Sequence, residues 1–198
     1  MGDILLAVKR FPLRLALTLP LLFGSSLARP ASVYLPNLAH AAQTYNNCGP
    51  ASLASVLGYY GIQKSQDELR RVLRPNGGYM TENVIDPYLR PLGLRATRFK
   101  RGQPEHLRLL LARGVPVIVL QWLDRVGGIP HFRVVRGYDD RAGVFWLDDP
   151  LYGESVYVSY ADFERLWGVY GEEFIPVYPQ GWQANIEKIL GVKGVPRG

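Results

Sequence analysis

The sequence predicts one α+β domain in which helices come first and an antiparallel sheet follows. Three observations support this fold class. The chain has 198 residues, of which 47% are hydrophobic and 20% charged, so it can bury an ordinary hydrophobic core. Helical patterns predominate over residues 48–112, and runs of β-branched and aromatic residues predominate after 115. The 15 prolines and 21 glycines are spread along the chain, which favours short connections over a helical bundle.

The composition also excludes several classes of protein. The apolar content is too high for an intrinsically disordered chain. No uninterrupted run of about 18 apolar residues occurs, which excludes a polytopic transporter. The net charge is +6, but the lysines and arginines are scattered and form no dense tract. Nucleic-acid binding is therefore not expected.

Residues 1–28 have the three parts of a secretory signal. A basic region ending at Arg14 precedes the apolar stretch 15–23, and the small residues Ser26 and Ala28 follow as a cleavage site. The apolar stretch is too short to span about 30 Å of hydrocarbon comfortably, so no stable membrane span is expected. We expect an exported protein, periplasmic or extracellular, and retention of this segment as an anchor is the alternative.

The first predicted helix spans 48–60 and is delimited by its own sequence. Asn47 precedes it as an N-cap, and Pro50 falls in its first turn, where a missing N–H costs nothing. Gly61 follows its last residue as a helix-ending glycine. Apart from small serines the helix is apolar on nearly every side. Such a helix belongs in the middle of a domain.

Capping residues, prolines and apolar runs delimit the remaining elements. A second helix is predicted from the capping box of Ser65 and Glu68 to about Leu73. A third begins at Thr81, and Pro87 and Pro91 kink or end it. Two more are predicted over 103–112, closed by Gly114, and over 160–167. The predicted strands are 94–99, 115–122, 131–138, 144–149, 155–158 and 174–178. We assign the domain to 33–178 and residues 179–198 to a peripheral C-terminal tail.

Cys48 is the only cysteine of the chain. It can form neither an intrachain disulfide nor a cysteine-rich zinc site, and we expect no metal or cofactor. A lone thiol is either a small buried hydrophobe or a nucleophile. Its place in the first helical turn favours the nucleophile, because the helix dipole stabilises a thiolate and the backbone N–H is free to bind an oxyanion. Gln43, five residues upstream, could supply a side-chain amide as a second oxyanion donor.

A thiolate needs a base, and the chain has three histidines. His106 falls on an amphipathic helix and is expected on the solvated surface, while His40 lies in an alanine-rich loop with no expected ordering partner. His131 opens a predicted strand, where it can be held rigidly. The next strand is antiparallel and ends in Asp148 and Asp149, so its end returns beside His131. Either carboxylate could then orient the imidazole and stabilise its charged form.

Three motifs occur in the order Gln-x4-Cys-Gly-Pro-Ala-Ser-Leu, His-Phe-x-Val-Val-x-Gly-Tyr-Asp-Asp and Asp-Asp-Pro. Over roughly residues 40–175 the chain resembles the C39-type cysteine peptidases and their C39-like relatives. The resemblance implies a papain-like fold, in which a central N-terminal helix packs against the antiparallel sheet. It also implies Cys48 as nucleophile, His131 as general base and acid, Asp149 as orienting carboxylate and Gln43 as oxyanion donor. The implied substrate is a peptide or protein.

Three features depart from the pattern of that family. The gap between Gln43 and Cys48 is one residue shorter, so another group serves the oxyanion unless the loop compensates. Arg133 shares a strand face with His131, and this cation would disfavour an imidazolium unless it is paired or turned away. The chain contains no Walker motif and no transporter helices. The double-glycine leader specificity of transporter-fused members is therefore not expected.

A cysteine peptidase is the function that these residues favour, and two alternatives remain. One is a catalytically silent papain-like domain that binds peptide or cell-envelope material, which predicts an unreactive Cys48 thiol. The other is a transglutaminase-like acyltransferase, which uses the same Cys-His-Asp trio with a different acceptor.

Overall fold

The structure is a computed structural model that describes residues 29–194. The predicted signal, 1–28, lies outside this range, as do the last four residues. Between Arg29 and Gly194, no helix is both long and apolar enough to cross a membrane.

Helices precede most of the sheet in the chain, as the sequence predicts. The helices are α1 (Cys48–Tyr59), α2 (Gln66–Leu73), α3 (Ile85–Leu89), α4 (Pro104–Leu111), α5 (Tyr160–Trp167) and α6 (Gln183–Leu190). The strands are β1 (Ser32–Tyr34), β2 (Leu94–Ala96), β3 (Val117–Trp122), β4 (Pro130–Asp139), β5 (Val144–Asp149), β6 (Gly153–Ser159) and β7 (Phe174–Pro179). The α+β fold class is therefore confirmed.

Within residues 29–194, seven strands form one sheet whose neighbouring strands are all antiparallel. The strand order is β2-β7-β3-β4-β5-β6, and β1 pairs with the second half of β4. This pairing explains Gly137, because a Cβ there would lie 2.5 Å from the carbonyl oxygen of Val33. Only glycine lets the two backbones approach so closely.

Helix α1 packs across β4 and β5 and is buried from Cys48 to Leu57. It ends where the sequence predicts, with Gly61 in the left-handed conformation at φ 75°. Asn47 precedes the helix but its side chain does not cap it. Its amide instead donates to Oε1 of Gln66 at 2.7 Å, which ties the start of α1 to α2.

The capping box of Ser65 and Glu68 opens α2 as predicted. The helix expected from Thr81 is reduced to α3, with a short 3-10 turn on each side. Pro87 lies in the first turn of α3, where proline is tolerated, and Pro91 lies in the 3-10 turn that follows. The strand expected over 94–99 is shorter. It ends at Ala96, and Phe99 then makes an isolated bridge to Phe174.

Two further parts of the sequence interpretation are corrected. Residues 183–190, which it placed in a peripheral tail, form α6, and this helix packs against α4 and buries Ile186 and Leu190 in the core. His106, expected in solvent, is half-buried. Its ring stacks on Phe174, and its Nδ1 accepts a hydrogen bond from the backbone N–H of Gln103 at 3.2 Å, where α4 begins.

Candidate active site

Cys48 and His131 meet where α1 and β4 both begin. Cys48 is the first residue of α1, and His131 is the second residue of β4. Both side chains are nearly buried, at 9% and 3% exposure, and the imidazole lies within hydrogen-bonding reach of the thiol. The structure thus brings together the two residues that the sequence proposes as nucleophile and base.

The surroundings of Cys48 favour its thiolate. Burial by itself would raise the pKa of the Cys48 thiol. The hydrogen bond with His131 and backbone hydrogen bonds from Phe132 and Gly49 outweigh burial, so that the pKa of Cys48 lies below its ordinary value. The positive end of the α1 dipole acts in the same direction.

Asp149 holds the far side of the His131 ring. Nε2 of His131 lies 2.9 Å from Oδ1 of Asp149, so Nδ1 is the ring nitrogen left to face Cys48. Burial lowers the pKa of His131, but the hydrogen bonds to Asp149 and Cys48 outweigh it and the pKa of His131 is raised. An imidazolium beside a thiolate is the state that these opposite shifts favour.

The Asp149 carboxylate is fully buried and stays ionised. Burial would raise its pKa, but His131, Arg133 and the backbone N–H of Leu151 lower the pKa of Asp149 to about 2. The N–H groups of Leu151 and Tyr152 donate to Oδ1 at 2.8 and 3.2 Å. Several donors therefore fix both the charge and the orientation of this carboxylate.

Arg133, the cation that the sequence places beside His131, is paired. Its Nε donates to Oδ2 of Asp149 at 2.5 Å, its Nη1 to Oε1 of Gln121 at 3.2 Å, and its Nη2 to the carbonyl oxygen of Leu123 at 2.6 Å. Sequence analysis missed this supporting role of Arg133 and Gln121. The signal available was strand alternation, because Gln121 lies opposite His131 in the sheet and Arg133 follows two residues later.

The other candidate carboxylate, Asp148, binds a different histidine. Nδ1 of His40 lies 2.7 Å from Oδ1 of Asp148. The expectation that His40 has no ordering partner is therefore wrong. The backbone N–H of Gln43 also donates to the carbonyl oxygen of Pro150 at 2.8 Å. These two contacts fasten the loop before α1 to the end of β5.

Gln43 lies in the same depression as Cys48 and His131, with its side chain half-buried. Its Oε1 is buried without a hydrogen-bond partner among the described residues. That oxygen is an acceptor, whereas an oxyanion would need the side-chain Nε2–H groups of Gln43 as donors. Its part in binding an oxyanion stays a prediction.

Two depressions meet at Cys48. The first, which we call the apolar pocket, has a volume of about 320 Å³, and its walls include Gly49, Met80, Leu120, Phe132 and Tyr170. The second, the histidine-side groove, has a volume of about 450 Å³, and its walls include Gln43, Thr44, Tyr45, His131 and Leu151. Asn46, Tyr79, Ile129 and Pro130 line both. Cys48 therefore lies where the two depressions adjoin, and His131 lines the histidine-side groove alone.

Comparison with known proteins identifies the family and the fold of the chain. The peptidase C39-like family matches residues 34–174. The chain is similar to the uncharacterized protein YvpB of Bacillus subtilis, with 24% identity over 192 residues and 76% of each chain covered. It is also similar in fold to a C39-like peptidase from Bacillus anthracis, with a TM-score of 0.59, 21% identity, and 75% of this chain and 98% of that chain covered.

A second similar structure is a double glycine motif protease from an AMS/PCAT transporter, solved in complex with the leader peptide. The TM-score is 0.59 at 21% identity, with 75% of this chain and 95% of that chain covered. The family match covers more than half of the chain and includes Cys48, His131 and Asp149. The chain therefore belongs to the peptidase C39-like family and has the papain-like fold of its cysteine peptidases.

Proposed function

We propose that this protein is a cysteine peptidase that hydrolyses peptide bonds with Cys48 as its nucleophile. One observation carries the proposal: the His131 imidazole lies between the Cys48 thiol and the buried Asp149 carboxylate, 2.9 Å from the latter. A nucleophile, a base and a group that orients the base are the constellation typical of nucleophilic acyl transfer.

The first half of the reaction forms an acyl-enzyme. The Cys48 thiol gives its proton to Nδ1 of His131, and the thiolate attacks the carbonyl carbon of the scissile bond. The resulting oxyanion accepts hydrogen bonds from the backbone N–H of Cys48, which no intrahelical carbonyl uses, and from the amide of Gln43. When the C–N bond breaks, His131 returns its proton to the leaving amine, and a thioester on Cys48 remains.

The second half releases the acid. A water molecule enters on the side of His131, loses a proton to the imidazole and attacks the thioester carbonyl. The C–S bond breaks, the sulfur recovers a proton from His131, and the peptide leaves with a new carboxyl group. Throughout, Asp149 stabilises the imidazolium and Arg133 holds Asp149 in place, so that the ring need not reorient between the two halves.

One experiment distinguishes hydrolysis from the two alternatives, an acyltransferase and a silent binding domain. The protein is incubated with a pool of tryptic peptides in water enriched in ¹⁸O, and products are identified by mass spectrometry. Hydrolysis predicts new C-termini that carry one ¹⁸O from water, and the Cys48→Ala variant forms none. Acyl transfer to added hydroxylamine in preference to water would instead indicate a transferase. Absence of any product that depends on Cys48 would contradict the proposal and favour a silent binding domain.

We also propose that the protein is exported through residues 1–28, on the sequence pattern alone. Fractionation of cells that produce the full chain tests this. Export predicts a protein outside the cytoplasm that is about 28 residues shorter at its N-terminus. A full-length protein in the cytoplasm would contradict it.

A further inference from the structure

We infer that three arginines at the end of α2 bind the phosphate group of a phosphate monoester. They face a depression of about 380 Å³, which we call the arginine pocket and which is lined by Asp67, Arg70, Arg71, Arg74, Pro75 and Gly77. The source of the phosphate is either a small phosphorylated molecule in solution or the headgroup of a phospholipid. The inference goes beyond the proposed peptidase activity and does not depend on it.

The arginines of this pocket have no carboxylate partner, unlike many others in the chain. Within residues 29–194, seven arginines each form an ion pair with a carboxylate, and these are Arg29, Arg90, Arg95, Arg98, Arg108, Arg133 and Arg165. Among the described residues, the one ion pair that α2 makes joins its Glu68 to Lys64, at 3.5 Å. Three guanidinium groups therefore share the arginine pocket with the single carboxylate of Asp67, and none is neutralised by an ion pair.

The burial of Arg74 is the strongest sign that an anion belongs here. Its side chain is only 7% exposed, and arginines are seldom so buried unless they are paired. Its Nη1 donates to the carbonyl oxygen of Asn46 and, at 3.3 Å, to Oδ1 of Asn47. Its Nε is buried with no hydrogen-bond partner in the part of the chain that the structure describes. Both acceptors are neutral, so the buried charge has no compensating anion.

The dipole of α2 accounts for only part of this arrangement. Arg70 and Arg71 lie in the last turn of the helix, where cations complement its carbonyl end. Exposed side chains are enough for that role, and it does not explain why a third guanidinium is buried beside them. Arg70 and Arg74 are also four positions apart, a spacing at which like charges repel. A bound anion would offset this repulsion and supply the missing countercharge.

The number and type of donors favour a phosphate over a carboxylate. A guanidinium donates two parallel hydrogen bonds to either group. A phosphate monoester carries a charge of about −1.5 to −2 near pH 7 and three acceptor oxygens. A carboxylate has one charge and two oxygens, which three guanidinium groups exceed. The volume of the pocket falls within the range of small-ligand sites, so the organic part of the ester can also be accommodated.

The arginine pocket adjoins the loop before Cys48 but is distinct from the two depressions at that residue. It shares no lining residue with the apolar pocket or the histidine-side groove. Asn46, whose carbonyl oxygen accepts from Arg74, lines both of them. At the other end of α2, Oε1 of Gln66 accepts from the backbone N–H of Thr44 at 2.8 Å. Helix α2 thus contacts this loop at both of its ends, and a phosphate bound there leaves the peptide depressions open.

Calorimetric titration of the full chain tests the ligand class. The probe is glycerol 3-phosphate, and acetate is the carboxylate control, both at an ionic strength of about 0.15 M. We expect a Kd of about 1 mM or tighter for glycerol 3-phosphate and binding at least about tenfold weaker for acetate. Equal affinities for the two anions would show that the pocket does not select phosphate and would overturn the inference.

A pair of double variants tests the site itself. Arg70 and Arg71 are exposed, so replacing both by glutamine should leave the fold intact, which circular dichroism checks. The matched control replaces Arg113 and Arg141, two exposed arginines outside the pocket, and removes the same charge. Arg70→Gln/Arg71→Gln should weaken binding of glycerol 3-phosphate at least about tenfold, and Arg113→Gln/Arg141→Gln by about twofold or less. Equal losses in the two would indicate a general effect of net charge and would contradict a site at α2.

Sedimentation with lipid vesicles distinguishes the two sources of phosphate. Vesicles of phosphatidylcholine are compared with vesicles that also contain phosphatidic acid, a phosphate monoester. Sedimentation that needs phosphatidic acid and is lost in Arg70→Gln/Arg71→Gln, but not in the control, supports a phospholipid headgroup. Binding of glycerol 3-phosphate without such sedimentation supports a small soluble ligand. If neither probe binds, or if both bind independently of Arg70 and Arg71, the inference is wrong, whatever the outcome for peptide cleavage.

Discussion

Asp148 and Asp149 are consecutive, both fully buried, and each contacts a histidine, yet the pKa values of the two carboxyl groups are shifted in opposite directions. The pKa of Asp149 is lowered to about 2, because His131, Arg133 and backbone N–H groups outweigh its burial. Burial raises the pKa of Asp148, and Ser55 and His40 offset this only in part. The donors around a buried carboxylate, and not its burial alone, thus decide the direction in which its pKa shifts.

The same comparison separates the two histidine-aspartate pairs. In the first pair, His131 contacts the Cys48 thiol as well as Asp149. The second pair, His40 and Asp148, links the loop before α1 to the sheet. We therefore expect the first pair to act in chemistry and the second in positioning.

The largest difference is expected between the two histidines. His131→Ala removes the base and the acid, and kcat/KM on a peptide that the wild type cleaves should fall by at least about 10⁴-fold. His40→Ala loosens the loop but leaves the reacting groups in place, so a loss within about tenfold is expected. Comparable losses in both variants, with both folded by circular dichroism, would remove the distinction between the pairs.

Substitution of the two carboxylates should also affect activity unequally, with the larger loss of kcat at Asp149, but the difference should be smaller than that between the two histidines. Asp149→Asn takes away the anion that stabilises the imidazolium and leaves Arg133 without its charged partner, so kcat should fall about 10²- to 10⁴-fold. Asp148→Asn keeps an oxygen that can accept from His40 and should change kcat only a few-fold. Steady-state kinetics across pH 5–8 check this, and a larger loss in Asp148→Asn would reverse the assignment.

The next prediction concerns Gln43, which lies in the loop that the His40–Asp148 pair links to the sheet. Gln43→Ala removes one proposed oxyanion donor and should lower kcat about 10²- to 10³-fold with little change in KM. Thr44→Ala alters the neighbouring residue, whose hydroxyl bonds Gln66, and is the control. A loss confined to KM would indicate that Gln43 binds the substrate and not the transition state.

The smallest expected effect is on the pH dependence of the free energy of unfolding. Because the folded pKa of Asp149 lies near 2 and an unfolded aspartate titrates near 3.9, Asp149 stabilises the fold above about pH 4, and this is lost as the pH falls towards 2. The shift corresponds to about 2–3 kcal/mol. The raised pKa of Asp148 has the opposite sign, so its contribution is present at low pH and lost as the pH rises through its folded pKa.

Urea unfolding of the wild type, Asp149→Asn and Asp148→Asn between pH 2 and 6 measures both contributions. The difference in unfolding free energy between wild type and Asp149→Asn should shrink as the pH falls. The difference for Asp148→Asn should change in the other direction. The same pH dependence in both variants would contradict the opposite pKa shifts of the two carboxyl groups.

Local signals in the sequence were enough to predict the helix and the strands that carry the candidate site residues. The proline in its first turn and Gly61 delimit α1, and strand alternation with an antiparallel return brings the end of β5 to His131. These are rules that act over a few residues. They could not decide between Asp148 and Asp149, because that choice depends on which side chains surround each carboxylate.

Contacts between distant segments were not predictable in this way. His40 and Asp148 are separated by 108 positions in the chain, and the walls of the apolar pocket come from five separate segments. Helix α6 was missed because Ile186 and Leu190 alone mark its buried face. Its packing on α4 is a tertiary contact that no periodic pattern in its own sequence specifies.

The pH dependence of Cys48 alkylation tests the central claim most directly, since this thiol is the only one in the chain. The rate with iodoacetamide is measured from pH 4 to 10 in the wild type, in His131→Ala and in the control His106→Ala. A thiolate stabilised by His131 predicts rapid alkylation that persists at pH 5–6 in the wild type and control but is lost in His131→Ala. Slow alkylation in all three chains, rising only near the ordinary thiol pKa of about 8.5, would contradict it.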